Sequence, residues 1–396
     1  MRVLFVAHAF PRHERDLAGN FVLRLAQALA DLGPSAGGVE VTALAPAAAG
    51  LAGHEELGGV AVRRYRYASR RAETLAYGGR MHRLAASPAG ALTMAALVGA
   101  GALEARRLGR AADVVHAHWW VPGGVQALLA RRRPLVTTLH GTDLRLARRS
   151  TAARVACARV LRASAVVTAV SSWLRDEAAA IAPDVAERIR VAPMPVDEDA
   201  FDLPPPGAPR DELLFVGRLD EQKGLADALR ALAMLTGAAA GRRLRVVGDG
   251  PERAELTALA ARLGLADRVI WEGQLPLAEL ADRYRRASAL LVPARDEGLG
   301  LVAVEAQLSG TPVIAAASGG LRDVVSEGRT GLAFPPGDPA RLAKAVNALL
   351  ADPDGAAELA ARARPAAIAR FGRNAVAMAY ADIYAEVTRT GSWVRR

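Results

Sequence analysis

Cysteine is nearly absent from this 396-residue chain: Cys157 stands alone, which excludes an internal disulfide and fits a reducing compartment. Lysine is almost as scarce. Of 51 lysines and arginines only Lys223 and Lys344 are lysines, so a lysine kept beside a glycine, as in Lys223-Gly224, suggests a position that wants a compact, rotatable ammonium. Histidine is missing from everything after His140, which removes a histidine-rich site from the second half. His116 and His118 alternate near a strand end without a carboxylate or cysteine cluster beside them, so no metal centre is expected. The first ten residues lack a signal-peptide cleavage pattern, and residues 3–7 have strand length and run into a polar turn. Acids fall short of bases, 41 to 51, and the formal charge of +10 suits anionic partners: a sugar nucleotide, an acidic lipid surface or nucleic acid.

What is present is apolar material enough for two cores, 52% of residues, in a chain long enough for two or three domains. Strand-length runs alternate with helical segments. Strands are expected at residues 3–7, 39–44, 60–65, 114–116, 135–139 and 165–169, with helices at 21–32 and 152–162. The pattern stops at Pro204, Pro205, Pro206 and Gly207, which read as a linker. It resumes with strands at 213–216, 244–247, 269–272, 289–292 and 313–316. Such alternation argues for parallel sheets covered by helices, and clefts between α/β domains are a usual home for ligands. Residues 374–387 look helical and apolar on one face, a brace returning to the first domain. The uncharged stretch 85–103 has nearly the length of a membrane span, but Ser87, Pro88, Gly90, Thr93, Gly99 and Gly101 interrupt it, so a buried or interfacial helix is expected.

The chemistry concentrates in residues 297–305, a glycine turn leading from a buried strand into a helix. If the helix begins near Gly300, the amides of Gly300, Leu301 and Val302 project from its tip, where with the dipole they attract phosphate oxygens. Glu305 falls about one turn on, roughly 6–8 Å along the axis, and leans back toward the tip. There it suits a pair of neighbouring hydroxyls, as on a ribose attached to a pyrophosphate. Glu297, on the other flank, suits the hydroxyls of a sugar on the far phosphate. The competing reading is a capped surface helix with two solvated acids. Two Asp-X-Asp triplets, at 197–199 and 352–354, read as solvated loops. Gly248-Asp249-Gly250 reads as a tight turn with Pro251 at the first helical position.

With these residues in view, the second half resembles the nucleotide-sugar-binding half of retaining glycosyltransferases of the GT-B fold, family four. The resemblance runs through Val216-Gly217-Arg218-Leu219 with Lys223-Gly224, residues 247–252, residues 297–305, Gly310-Thr311-Pro312, Ser318-Gly319-Gly320 and residues 328–334. The first half matches through His116-Ala117-His118-Trp119 and His140-Gly141-Thr142-Asp143. The resemblance implies an α/β fold of two Rossmann-like, doubly wound domains facing each other across a cleft. The acceptor domain would span 1–197, the linker 198–211 and the donor domain 212–373, with 374–396 packing back on the first. It implies that Arg218 and Lys223 grip the donor diphosphate and that Gly273, Gln274 and Leu275 read the nucleobase largely by backbone. His140 would contact the sugar near the reacting carbon, with Glu297 on the sugar and Glu305 on the ribose. Gly19, Asn20, His116 and His118 would lie on the acceptor side, packed or capping histidines being the alternative for the last two. Ala18-Gly19-Asn20 stands where many relatives carry two adjacent glycines, which leaves the acceptor open.

The activity implied is retaining transfer of a hexosyl-type sugar from a UDP-, GDP- or ADP-linked donor to an acceptor hydroxyl, with no metal or other cofactor. The leaving diphosphate would take the acceptor proton, the two cations stabilising its growing charge. A sugar-nucleotide epimerase would need the same grip. A nucleic-acid-binding protein would explain the charge, but no known module for that appears and the basic residues are spread over both halves. From residue 63 to 83 seven arginines, Arg63, Arg64, Arg66, Arg70, Arg71, Arg80 and Arg83, face the single acid Glu73. Beside the apolar 85–103 stretch they suggest a cytoplasmic enzyme peripheral on an anionic membrane and a lipid-linked acceptor, a solvated loop being the alternative.

Overall fold

A computed structural model describes residues 1–13, 16, 18–33, 38–77, 87–130, 133–205 and 207–390. The chain divides into two compact units, one of residues 1–195 with 373–396 and one of residues 196–372.

The first unit is built on an eight-stranded sheet of order β3-β4-β2-β1-β5-β6-β7-β8. Its strands are β1 (Arg2–Val6), β2 (Glu40–Pro46), β3 (His54–Leu57), β4 (Val60–Tyr65), β5 (Val114–His118), β6 (Leu135–Leu139), β7 (Val166–Ala169) and β8 (Ile189–Val191). All pairings are parallel except β3 with β4. Burial on both faces explains the apolar run of β1 and the fully buried β6, whose Thr137 and Thr138 hydroxyls are hydrogen-bonded inside. Two strands escape a hydrophobicity reading: β3 is a charged edge, His-Glu-Glu-Leu, and β8 is three residues long.

The second unit has a six-stranded sheet of order β11-β10-β9-β12-β13-β14, with every pairing parallel. Its strands are β9 (Glu212–Val216), β10 (Arg243–Val247), β11 (Val269–Gly273), β12 (Ala287–Val292), β13 (Val313–Ala316) and β14 (Leu332–Phe334). Leu213, Phe215, Leu244, Val246, Ala289 and Leu291 alternate into a core completed by helical residues such as Leu229, Leu232 and Val346.

In both sheets the chain leaves a central strand in opposite directions, at β1 between β2 and β5 and at β9 between β10 and β12. Such reversals open a crevice at the carboxyl ends of the strands, where open α/β sheets take ligands.

The last helix, Arg373–Thr390, belongs to the first unit, where it packs against the Asn20–Asp31 helix. Its Tyr384 hydroxyl reaches His116 Nδ1 at 2.7 Å, and Arg190 forms a two-pronged ion pair with Glu386 at 2.6 and 2.7 Å. The proline run is no free linker. Arg364 and Arg210 fasten it to the second unit by donating to the carbonyls of Phe201 and Gly310, and Phe201 is wholly buried. Pro206 lies outside the described residues.

Candidate active site

At the carboxyl edge of the first sheet, β1, β5 and β6 deliver His8, His118 with Trp119, and His140 to one cluster. His118 Nδ1 lies 3.2 Å from His140 Nε2 and the two rings stack. Trp119 packs on His8 and on His140, with ring centroids 4.3 and 4.6 Å apart, and Phe21 closes against His140 at 4.9 Å. Trp119 carries a φ of 65°, a strained conformation outside glycine that persists only where surrounding packing enforces it. Asp143, buried at the start of the helix after His140, accepts from the amides of Gly141, His140 and Trp120 at 2.9, 3.2 and 3.3 Å. One carboxylate thereby holds the loops after β5 and β6 together. Burial raises its pKa above the usual carboxylate value, against the pull of those amides.

Burial also keeps the histidines neutral. His8 falls to about 4 through desolvation alone, and His118 and His140 fall well below their ordinary value, by desolvation first and neighbouring histidines second. Neither His8 Nδ1 nor His118 Nε2 finds a partner among the described residues.

Gly19 and Asn20 lie at the same edge. Gly19, at φ 74°, begins the Asn20–Asp31 helix so close to Ala9 that a Cβ would stand 2.1 Å from its carbonyl oxygen. His116 does not belong with them. It is fully buried, with Tyr384 on one ring nitrogen and Thr138 on the other at 2.6 Å, so it has no polar atom left for an acceptor. The packed alternative is the correct one there.

In the second sheet Lys223 follows β9 and Glu297 follows β12, and the two meet at 2.6 Å. Asp220 tethers the first of these loops: its carboxylate accepts from the Lys223 amide at 3.3 Å and pairs with Arg218 at 3.5 Å. Gly224 is required by geometry, since its φ is 70° and a Cβ would meet the Pro293 carbonyl at 2.4 Å. Gln222 accepts from the Arg295 amide and donates to the Asp296 carbonyl, joining the two loops again. Asp296 holds φ 49°, the second strained residue outside glycine. Ser318, Gly319 and Gly320 brace the turn from behind. The Ser318 hydroxyl accepts from the Asp296 amide at 3.0 Å, the Gly320 amide donates to the Glu297 carbonyl at 2.7 Å, and a Cβ on either glycine would collide with that backbone.

The helix Leu301–Leu308 starts where the sequence places it. Gly300 precedes it at φ 92°, and Ala303 makes the first helical bond back to Gly300, so the Leu301 and Val302 amides stand at the tip. Glu305 is buried on this helix, and the hydroxyl of the fully buried Tyr284 donates to it at 2.9 Å. It is thus a positioned carboxylate rather than a solvated one. Gly273 ends β11, and its carbonyl accepts from the Gly248 amide at 2.7 Å. Gln274 beyond it is exposed and Leu275 half-buried.

Gly248 and Gly250 serve packing, because a Cβ would stand 1.9 Å from the Gly217 carbonyl oxygen and 2.3 Å from that of Leu219. Pro251 lies in the turn before the helix, which begins at Arg253. Among the described residues no group of three metal-ligating side chains forms, and Asp352 of one Asp-X-Asp triplet caps a helix by accepting from Gly355. A cavity of about 850 Å³ lies at the opposite, amino-terminal edge of this sheet, away from these loops. Its arginines, Arg243, Arg245, Arg283, Arg285 and Arg286, are all tied to Glu212, Glu272 or Asp282.

Of the basic loop, Arg64 is buried, bonded to Glu55, Tyr77 and the Pro11 carbonyl, and so is structural. Arg66 pairs with the buried Glu73 at 2.6 Å. Arg63 is half-buried, Arg70 and Arg71 are exposed, and Arg80 and Arg83 lie outside the described residues.

Both sheets thus gather neutral or cationic donors at their carboxyl edges, and comparison with known proteins says what such folds do. Residues 18–200 match the model described as Glycosyltransferase Family 4, and residues 199–370 match Glycosyl transferases group 1. A D-inositol 3-phosphate glycosyltransferase of Xylanimonas cellulosilytica is 38% identical over 317 residues, which cover 70% of this chain and 72% of that one. A 2-deoxystreptamine glucosyltransferase of Streptomyces kanamyceticus is 37% identical over 227 residues, 56% of each chain. Sucrose-phosphate synthase of Thermosynechococcus elongatus superposes with a TM-score of 0.79 at 25% identity, covering 98% of this chain and 99% of the other. The chain belongs to the family-four, group 1 glycosyltransferases of the GT-B fold and is a glycosyltransferase.

Proposed function

We propose that this enzyme transfers a hexosyl-type sugar from a nucleoside diphosphate with retention of anomeric configuration. The observation that carries this is the meeting of Lys223 and Glu297 beside the Leu301–Leu308 helix tip at the reversal point of the second sheet. An ammonium, the Arg218 guanidinium and free amides suit a diphosphate, while carboxylates on either side suit hydroxyls. In the ligand-free chain Glu297 holds Lys223. An arriving diphosphate would compete for that ammonium and release Glu297 to the sugar. The fold neighbour HepE of Anabaena was solved with UDP-glucose, at a TM-score of 0.70 and 21% identity, which makes UDP the first nucleotide to try. The cations are sufficient to carry the leaving-group charge without a metal, so chelator should leave turnover unchanged.

Thermal shifts with UDP, GDP and ADP test the grip, since a ligand bound only by the folded form raises its melting point. No shift with any of them would sink the reading, and an inverted anomer by proton NMR would remove the stereochemical part.

The acceptor we place in a lipid-linked glycan or glycolipid on the cytoplasmic face of a membrane. The support is the helix Pro88–Leu108, long and apolar enough by length and composition to cross a bilayer yet packed against the sheet through Leu97, Ala102 and Ala105. Its outer stripe, Leu92, Ala96, Gly99 and Leu103, is exposed, with the two leucines 74% and 72% accessible; Arg106 continues the same face and Arg110 is exposed just beyond the helix end. An apolar face ending in guanidinium groups suits an anionic bilayer surface. Sedimentation with anionic vesicles at low salt should carry the protein down. A second reading, a small soluble polyol phosphate, is favoured by the names of the inositol-phosphate relatives, and efficient transfer to such an acceptor with no vesicle binding would select it.

A further inference from the structure

His118 is the last residue of β5 and His140 the first after β6, and these strands are neighbours in register, so the pleat brings their rings face to face. A single proton lies between His118 Nδ1 and His140 Nε2, 3.2 Å apart. Both rings are neutral, which leaves two arrangements.

In the first, His140 donates from Nε2 and His118 accepts at Nδ1. His118 must then carry its own proton on Nε2, an atom buried with no hydrogen-bond partner among the described residues. The nearby Phe5 ring, 4.9 Å away and tilted 59°, offers only an aromatic face, a weaker acceptor than any oxygen. In the second, His118 donates from Nδ1 and leaves Nε2 bare. Folded proteins leave a buried N–H without an acceptor more rarely than an acceptor without a donor. His116 offers no relief, because both its nitrogens are taken by Tyr384 and Thr138. The second arrangement wins, and it forces the single proton of His140 onto Nδ1. That atom meets no partner among the described residues, and His140 is only half-buried.

We propose that His118 is a positioning residue that locks the tautomer of His140, so that His140 presents Nδ1–H as a donor to an oxygen of the bound sugar. The sugar part rests on the transfer reading above; the tautomer part does not. The logic is that of any imidazole whose outward atom is set by what its other nitrogen bonds. It also explains why the site tolerates so much buried histidine: none of these rings is there to exchange protons, and one exists to hold another.

The test uses the full chain labelled with nitrogen-15 histidine, with His140 assigned by the signals lost in His140→Gln. Long-range proton–nitrogen correlation of the ligand-free protein near pH 7.5 should show a protonated Nδ1 and a bare Nε2 for His140. A protonated Nε2 overturns the proposal. His118→Leu, which cannot donate, should move His140 toward the Nε2–H form that an unconstrained imidazole favours. With it kcat should fall about 10- to 100-fold, the scale seen when an orienting partner is lost, while KM for the donor changes less. His118→Asn, whose amide can donate from nearly the same place, should restore the signature and most of the kcat. A shifted tautomer with unchanged kcat would overturn the role toward the sugar. Should His118→Leu fail to fold, the wild-type spectrum and the asparagine variant still decide. Because that spectrum needs no substrate, absence of transfer activity would count against the reading of the previous subsection and leave the tautomer result standing.

Discussion

Lys223 and Glu297 are 74 positions apart and yet share one hydrogen bond, which makes each the other's partner until a diphosphate intervenes. Lys223→Ala and Glu297→Ala should each lose most turnover while remaining folded, about 100-fold or more where a preorganised charge has been removed. Full turnover by either with its true substrates would remove that residue from the mechanism. The histidines make a second prediction, about stability. His8 and His116 have folded pKa values of about 4 and about 3, below the unfolded value near 6.5, so the unfolded chain binds more protons as the pH falls. Stability from these groups is therefore complete above about pH 6.5 and drains as the pH drops toward their folded values. Melting temperature should fall between pH 7 and pH 5, and His116→Asn should fall less steeply; a flat profile would contradict the burial. At this scale the sequence singled out Arg218, Lys223, Glu297, Glu305 and His140 as candidates through their neighbours. It concealed Tyr284 and His8, whose importance lies in partners far along the chain, showed Asp143 without its bond to the distant Trp120 amide, and offered His116 as a contact residue although its hydroxyl partners consume it.

The strand-to-helix loops are where single elements became functional, and their glycines have separate reasons. Gly300 supplies a left-handed start to a helix, whereas Gly248 combines a φ of 132° with a carbonyl oxygen where its Cβ would be. Gly248→Ala should therefore destabilise by about 2–4 kcal/mol, more than an ordinary glycine replacement, through backbone strain and displaced loop contacts. Denaturant unfolding checks this, and a loss below about 1 kcal/mol would mean that the two loops part easily. The Pro88–Leu108 helix shows the limit of pattern reading for an element. Its length and its apolar run were visible in the sequence, but not which side is covered. Gly101 lets it approach Gln126, whose amide donates to Tyr65 and to the Leu97 carbonyl, and that contact turns Leu92 and Leu103 outward.

At the scale of the whole molecule, the carboxyl-terminal helix completes the first unit from the far end of the sequence. Its Tyr384 hydroxyl satisfies His116 in the middle of the sheet, so Tyr384→Phe leaves a buried ring nitrogen unpaired. That should cost about 1–3 kcal/mol of stability in the first unit, seen as an earlier unfolding transition, and no change would show that the bond contributes nothing net. Local order fixed a great deal here. The alternation of strands and helices, the break near the prolines, the helix starting at Gly300 and the cationic pair after β9 are set by periodicity, glycine placement and residue type, all of which act over a few neighbours. Only tertiary structure decided which arginines of the basic loop are interior, that the proline run is pinned to the second unit, and which ring nitrogens remain unpaired. Those outcomes depend on desolvation and on hydrogen-bond partners brought from distant positions, quantities that no local window of sequence contains.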